Sequence, residues 1–464
     1  MKRYPCAISV LLLAVACGTS AHAAPFTQSL DATGDTVFDS GFEITPVQGA
    51  CVNFYSDSFV LAEGETAGSD TAHTPTPDKG VPFAEPSFNT CVVRATHHSV
   101  EYPPAAFLRE DYSRRQSYNA DNSRFFVFGS NGFWHLYNSD SLAYMSVIPG
   151  VAGDNAEPQW DPGNPALLYY LPLNGGTKMY SVDVTTNVSQ VVADFLPQLP
   201  AWAQGAQHIS TKAEGSPSQD ARYWGFIVQD GSFTTIGYMV WDLQQNHIVG
   251  SRPTTVQPDH GSMTPSGRWF TVSGFDGVYA WSPDFSLKKK LHHTTEHSDI
   301  AIGANGHDTF VSLDYQSNGG DVFYIDIDAC PAVAADVPDP PECPRTVLFP
   351  TYVNGSTTAL HISGKGYRKP GWVVITPYGT ALSRDGTMPW YGNKVFAMQL
   401  DPNPRVYELA RHHSLGVAPT AYWSEPQSTT NRDLTRIMFN SSWYGTDQTN
   451  VEAYLIQLPA DAIE

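Results

Sequence analysis

Short runs of alternating apolar and polar residues recur along the chain, and each is typical of a β-strand with one face in a core. Most of these runs begin about 40 to 60 residues after the previous one, and no amphipathic helix of convincing length separates them. The seven runs are GFWHLYN (132–138), TKMYSVDV (177–184), GYMVWDL (237–243), DGVYAWSP (276–283), DVFYIDI (321–327), KVFAMQL (394–400) and EAYLIQL (452–458).

A turn followed by a second β-rich stretch precedes most of these runs, as in ADNSRFFVF (120–128), SQDARYWGFIV (218–228) and PSGRWFTV (265–272). Repeats of four short strands at this period are typical of a β-propeller. A pair of large β-sandwiches is the alternative, but it fits the period less well. We therefore predict an all-β protein, a seven-bladed β-propeller with a short N-terminal extension.

The N-terminus has the features of an export signal. Lys2 and Arg3 precede the apolar run 7–16, and Ala-His-Ala at 21–23 offers a cleavage site. A lipoprotein signal at Cys17 is the alternative, although the large aliphatic residue usual before such a cysteine is missing. The predicted organisation is a signal peptide (1–23), a flexible lead-in (24–50), an N-terminal extension that can supply a ring-closing strand (51–93) and the propeller (94–464).

Loss of the signal peptide would leave four cysteines, which in an exported chain predict two disulfides. We expect Cys51 to pair with Cys91 and Cys330 to pair with Cys343. No cysteine spacing typical of a zinc site is present. No later segment is apolar for long enough to span a membrane, so we expect a secreted or periplasmic protein.

The net charge of −20 gives the chain no general attraction for nucleic acid or for an anionic membrane. The sequence contains no phosphate-binding loop, nucleophile elbow, HExxH motif or dinucleotide fingerprint. No sequence motif therefore indicates a nucleotide-dependent enzyme or a serine hydrolase.

Histidines recur at the predicted innermost strands, which line the central channel of a propeller. Four successive blades carry one, in HIST, HGSM, HSDI and HISG, at His208, His260, His297 and His361. Neutral imidazole suits a transition metal or a general base. The other predicted channel positions are Arg114 or Gln116, Gln159 and Gln427.

A structural role is the alternative for these histidines. Propellers built from tryptophan–aspartate repeats place a histidine before the inner strand, and His260 with Trp281 loosely resembles that pairing. The other blades lack the matching Gly-His and Trp-Asp dipeptides. The histidines are therefore candidates for one site at the channel mouth.

Two cationic clusters are candidates for contact with a negative substrate. One is DYSRRQ, with Arg114 and Arg115, and the other is SGKGYRKPGW, with Lys365 and Arg368. Arginine suits a bidentate grip on a carboxylate. Solvated surface charge is the alternative reading of both clusters. His98, just before the first blade, is a secondary candidate.

The architecture over about residues 94–460 and the motifs HIST, HGSM, EHSD and HISG resemble the polysaccharide-lyase propellers, such as oligogalacturonate lyases and ulvan lyases. The segment EHSDIAIGANGHD is also similar to a histidine-bearing segment of oligogalacturonate lyases. This resemblance implies β-elimination at a uronic acid, with a polysaccharide or oligosaccharide as substrate.

The resemblance also implies roles for particular residues. Arg114 would neutralise the uronate carboxylate, either His208 or His260 would be the base, and Tyr112 would be the acid. A divalent metal, manganese or calcium, would be bound by His297, His361 and Gln427. Further substrate contacts would come from Arg115, His98, Gln159, Lys365 and Arg368.

Two other functions remain open from the residues alone. A propeller glycoside hydrolase could use carboxylates such as Glu157 and Glu425, both of which occur in the sequence Glu-Pro-Gln. A non-catalytic binding propeller is the third interpretation, because a fold alone does not determine function.

Overall fold

The computed structural model describes residues 49–67, 74–316, 320–414, 422–446 and 448–464. The predicted signal peptide and almost all of the predicted lead-in lie outside the described residues. The N-terminal part of the described chain contains four short strands and one helical turn: β1 (Ala62–Glu63), β2 (Phe83–Ala84), β3 (Cys91–Arg94), α1 (His98–Glu101) and β4 (Phe107–Arg109).

The middle of the chain consists of strands joined by turns. They are β5 (Arg124–Gly129), β6 (Phe133–Asn138), β7 (Tyr144–Ala152), β8 (Gln159–Trp160), β9 (Leu167–Tyr170), β10 (Lys178–Asp183), β11 (Val188–Asp194), β12 (His208–Ser210), β13 (Tyr223–Gln229), β14 (Thr235–Asp242), β15 (His247–Pro253), β16 (Pro258–Met263), β17 (Phe270–Gly274), β18 (Gly277–Trp281) and β19 (Leu287–His292).

The C-terminal part also consists of strands joined by turns. Its strands are β20 (Ser298–Ile302), β21 (Asp308–Asp314), β22 (Asp321–Asp326), β23 (Val333–Ala334), β24 (Thr346–Pro350), β25 (Ala359–Ser363), β26 (Trp372–Tyr378), β27 (Lys394–Gln399), β28 (Val406–Arg411), β29 (Thr429–Thr430), β30 (Arg436–Ser441) and β31 (Val451–Gln457). Single 3-10 turns occur at Asp154–Ala156, Leu196–Gln198, Ala201–Ala203 and Tyr422–Ser424.

Most strands pair antiparallel with their neighbours in the chain to form small sheets. Five of these sheets are β8–β11, β12–β15, β16–β19 extended by β23, β20–β22 with β24, and β25–β28 extended by β1. A nine-stranded sheet joins β2 to β7 with β29, β30 and β31, because β4 pairs parallel with β31 and antiparallel with β5. The all-β class is confirmed, and the count of seven blades stays a prediction.

The apolar faces of neighbouring sheets form the core between them. Tyr169 and Met179 of one sheet cluster with Trp224 and Trp241 of the next, and all four are buried. Tyr238 and Val240 of the same second sheet cluster with the sheet that follows, so a sheet between two others buries both of its faces. The first strand of each small sheet is left at the edge that carries the predicted site residues.

Both predicted disulfides are present, Cys51–Cys91 and Cys330–Cys343. The first connects the N-terminal extension to β3, which pairs antiparallel with β31 near the C-terminus. No helix among the described residues is long and apolar enough to cross a membrane. Two disulfides are consistent with an extracellular or periplasmic protein.

Replacing Cys51 and Cys91 with serine is expected to lower the free energy of unfolding by about 4 kcal/mol, because a longer closed loop restricts the unfolded chain more. The two cysteines are separated by 40 residues, whereas Cys330 and Cys343 are separated by 13. Replacing Cys330 and Cys343 with serine should therefore lower the free energy of unfolding by less, about 3 kcal/mol. Urea unfolding of both variants measures the difference, and a reversed order would contradict this explanation.

Candidate functional site

Hydrogen bonds between different sheets bring their first strands together. The Gln159 amide donates to the carbonyl of Gly215 at 3.1 Å, and the Ser216 amide donates to the Ser262 hydroxyl at 3.0 Å. On the other side, the amide of Gly364 donates to Asp299 at 2.7 Å. These bonds link three neighbouring sheets on one side and two on the other, five in all, as expected for strands that surround a common axis.

Arg114 and His260 are in direct contact inside this ring of strand edges. A guanidinium N–H of Arg114 donates to Nε2 of His260, and the same nitrogen lies 2.8 Å from a carboxylate oxygen of Glu214. Nδ1 of His260 faces Asp259 at 3.3 Å. Arg114 and His260 are both buried, whereas Glu214 is partly exposed.

These contacts determine the state of the His260 ring. An arginine can only donate, so Nε2 of His260 must carry the lone pair, and Nδ1 can donate its proton to Asp259. Burial lowers the pKa of His260, and the positive charge of Arg114 lowers it further. Asp259 and Glu214 oppose this change only in part. His260 is therefore a neutral imidazole whose basic nitrogen touches a guanidinium.

Aromatic rings form the neighbouring wall of the site. The guanidinium of Arg114 lies 5.4 Å from the centre of the Tyr112 ring, which in turn meets His361 edge-on at 5.3 Å. His297 and His361 stack at 4.6 Å, and Tyr378 stacks on His361 at 4.7 Å. Burial raises the pKa of Tyr112 well above its usual value, so its hydroxyl stays protonated.

Glu425 and Gln427 complete the site from the segment before β29. Nε2 of His361 lies 2.9 Å from a carboxylate oxygen of Glu425. Burial raises the pKa of Glu425 to about 7. The Gln427 side chain accepts a hydrogen bond from Arg109 at 2.7 Å. We call the following residues the inner cluster: Tyr112, Arg114, Glu214, His260, His297, His361 and Glu425.

His297 and His361 each offer an imidazole nitrogen to a divalent metal. Nδ1 of His297 is held by the carbonyl of Leu360 at 2.9 Å, which orients the ring as in many metal sites. Nδ1 of His361 is buried and has no hydrogen-bond partner among the described residues. Burial and the nearby His361 lower the pKa of His297 to about 4, and burial lowers the pKa of His361 further, so both rings are neutral.

Groups of three His, Asp or Glu side chains whose ligand atoms all lie within 4.8 Å of one another occur at two places in the described part of the chain. One is Glu214, Asp259 and His260, within or beside the inner cluster, and the other is His292, His293 and Glu342. The predicted ligands His297, His361 and Gln427 belong to neither group. They are instead linked through Glu425, which contacts both His361 and Gln427.

His208 lies apart from these contacts. Its Nδ1 interacts with the carbonyl of Asn174 at 3.0 Å, and its ring stacks on Phe233 at 4.0 Å. His260 is two residues inside β16 rather than at the first residue of its strand, which brings it to Arg114. The structure thus brings only one of the two predicted bases to the predicted neutralising arginine.

The predicted substrate-binding residues have other partners. Nδ1 of His98 faces Glu452 at 2.8 Å, and Arg115 is held by Asp111 at 2.9 Å. Lys365 forms a buried ion pair with Asp299 at 2.9 Å. Arg368 is exposed and pairs with Asp433 at 3.0 Å. Like Gln159, these residues make structural contacts, and their roles towards a substrate stay predictions.

Glu214 and Asp259 did not emerge from the sequence as site residues. Glu214 lies in the segment KAEGSP after β12, and no motif marks it. Asp259 directly precedes His260, so its position in the sequence was the only available signal. Both carboxylates reach His260, at 3.6 Å and 3.3 Å.

No protein-family model matches the chain, and no curated protein is significantly similar to it in sequence. An oligogalacturonate lyase in complex with manganese is similar in structure, with a TM-score of 0.54 at 12% identity, over 86% of this chain and 97% of that protein. The oligogalacturonate lyase of Vibrio parahaemolyticus has a TM-score of 0.54 at 11% identity, over 82% of this chain and 96% of its own. The chain therefore shares the propeller-type fold of these lyases, as the strand repeat and the resemblance to this family predict.

Proposed function

We propose that the protein is a secreted polysaccharide lyase that cleaves a uronic-acid-containing glycan by β-elimination within a seven-bladed ring. The contact between Arg114 and Nε2 of His260 is the observation that carries this proposal. In a uronate, the acidic proton and the carboxylate group are both attached to C5. A base and a carboxylate-binding cation must therefore lie side by side, as these two groups do.

The inner cluster supplies a group for each part of the reaction. Arg114 binds the carboxylate and stabilises the negative charge that develops when the C5 proton leaves. Once the substrate carboxylate accepts the Arg114 N–H in place of His260, the released lone pair of Nε2 takes that proton, and the electrons of the C5–H bond form the C4–C5 double bond. The C4–O bond then breaks, and the protonated hydroxyl of Tyr112 donates to the leaving oxygen.

A divalent metal would be held by His297, His361 and Glu425, with Gln427 beside them. The two imidazoles favour a transition metal over calcium, which prefers oxygen ligands, and manganese is the ion bound to the structurally similar oligogalacturonate lyase. When bound, the metal would supply a fixed positive charge next to the substrate carboxylate. Tyr112 contacts both imidazole rings, so it would keep its position between this charge and Arg114.

In the pH profile of kcat/KM, the midpoint of the decrease on the acid side is expected below pH 6.5, the ordinary pKa of histidine. His260 must be neutral to act as a base, and burial together with Arg114 lowers its pKa, so it stays neutral in more acidic solution. Asp259→Asn should move this midpoint to still lower pH, because Asp259 raises the pKa of His260. A pH profile of both proteins tests this, and a midpoint above pH 6.5 would contradict it.

A glycoside hydrolase is less well supported by the contacts of Glu157. Its carboxylate accepts hydrogen bonds from the backbone amides of Thr211, at 2.9 and 3.0 Å, and of Ala213, at 2.6 Å. A carboxylate held in this way joins two sheets and is poorly placed to exchange protons with a substrate. Of the two carboxylates that the Glu-Pro-Gln segments offer for hydrolysis, Glu425 alone then remains for acid–base work.

The proposal is tested by incubating the purified protein with a panel of uronate-containing glycans, with and without Mn²⁺ or Ca²⁺. A lyase would produce unsaturated uronate, which is detected by its ultraviolet absorbance. New reducing ends without this absorbance would instead indicate a hydrolase. Binding of a glycan without any cleavage would indicate a binding propeller.

A further inference from the structure

A second group of metal-type ligands lies outside the inner cluster. His292 and His293 are at the end of β19, and Glu342 belongs to the loop closed by the Cys330–Cys343 disulfide. The loop is fixed beside the strand because the amide of Cys343 donates to the carbonyl of Lys290 at 2.8 Å. Two rigid elements therefore bring the three side chains together.

The distances between the three ligand atoms suit a small metal ion. Nδ1 of His293 lies 3.2 Å from one carboxylate oxygen of Glu342, and Nδ1 of His292 lies 3.8 Å from the other. Ligands bound tetrahedrally to zinc at about 2.0–2.1 Å lie about 3.3 Å from one another. The two observed distances bracket that spacing, and all three ligand atoms lie within 4.8 Å of one another.

An ion pair between His293 and Glu342 does not explain why His292 is buried beside them without hydrogen-bond partners among the described residues. His292 is completely buried, and both of its ring nitrogens lack a hydrogen-bond partner among the described residues. Its Nε2 lies 4.0 Å from Asp314, which is already bound by Arg345 at 2.7 Å. An unpaired buried nitrogen is unfavourable in a native protein, and a bound cation would satisfy it.

We propose that His292, His293 and Glu342 bind a divalent transition metal of the zinc class. Two imidazoles and one carboxylate favour zinc over magnesium or calcium, which prefer oxygen ligands. The side chains of His293 and Glu342 are each 38% exposed, so a water molecule can take the fourth position. The ion would fasten the disulfide-closed loop to β19, and it shares no residue with the inner cluster.

The test uses the full-length protein after removal of metals by a chelator, with Zn²⁺ alone as the probe. We expect wild type to retain one more equivalent of zinc per chain than His293→Gln or Glu342→Gln, as measured by titration calorimetry. Zinc should also raise the melting temperature of wild type more than that of either variant. Both changed side chains are partly exposed, so the variants should fold.

His307→Gln is the matched control, because His307 also faces a single carboxylate, Asp326 at 2.9 Å, but has no second histidine beside it. This variant should bind as much zinc as wild type. Zinc that binds to the inner cluster is present in all four proteins and cancels in the comparison. Equal zinc stoichiometry in wild type, His293→Gln and Glu342→Gln would overturn the proposal.

Discussion

Arg114→Lys is expected to lower kcat on a uronate glycan by about 100- to 1,000-fold, the usual effect of removing one group that stabilises developing negative charge. Lysine keeps the positive charge but loses the planar, bidentate donor set that fits a carboxylate. It would also lose the present contacts of the guanidinium with His260 and Glu214. Steady-state kinetics on the best substrate of the panel measure the change.

Arg222→Lys is the control for this substitution. Arg222 pairs with Asp242 at 2.8 Å, and among the residues that the structure describes no contact connects it to the inner cluster. Its replacement should leave kcat close to the wild-type value. An Arg114→Lys protein that is folded and retains wild-type kcat would contradict the assignment of Arg114 to the carboxylate.

His260→Gln is expected to lower kcat by about 100- to 10,000-fold, the usual contribution of general acid–base catalysis. Glutamine is polar and of similar size, and its carbonyl oxygen can still accept the N–H of Arg114, but it cannot take up the C5 proton. The loss should therefore occur mainly in kcat, with a smaller effect on KM. Circular dichroism would confirm that the variant is folded.

His208→Gln distinguishes between the two histidines that the sequence offers as the base. His208 contacts Asn174 and Phe233 rather than Arg114. Its replacement should leave kcat close to the wild-type value, because its ring lies apart from the inner cluster. If His208→Gln lost as much kcat as His260→Gln, the assignment of His260 as the base would be contradicted.

The repeated strand pattern predicts the all-β fold because each strand run signals its own strand locally. The run GYMVWDL, for example, corresponds to β14, in which Trp241 packs against the preceding sheet and Val240 against the following one. The nine-stranded sheet could not be predicted in this way. Its joining contact, the parallel pairing of β4 with β31, connects distant parts of the chain and has no local signal.

The sequence predicts those site residues that occupy equivalent positions in successive repeats. Comparable positions in successive sheets bring His297 and His361 together, so reading the repeat finds both. His208 occupies a similar position by sequence but lies at the first residue of its strand, where it faces Phe233. Glu214 comes from a loop and has no repeated equivalent, so only the three-dimensional structure shows its contact with Arg114.

The most direct test of β-elimination is to cleave the best substrate in heavy-oxygen water and to weigh the products by mass spectrometry. Elimination breaks the C4–O bond without adding water, so we predict an unsaturated product that contains no heavy oxygen. Hydrolysis would add one atom of heavy oxygen at each new reducing end. Products that carry the heavy oxygen and no double bond would contradict the account.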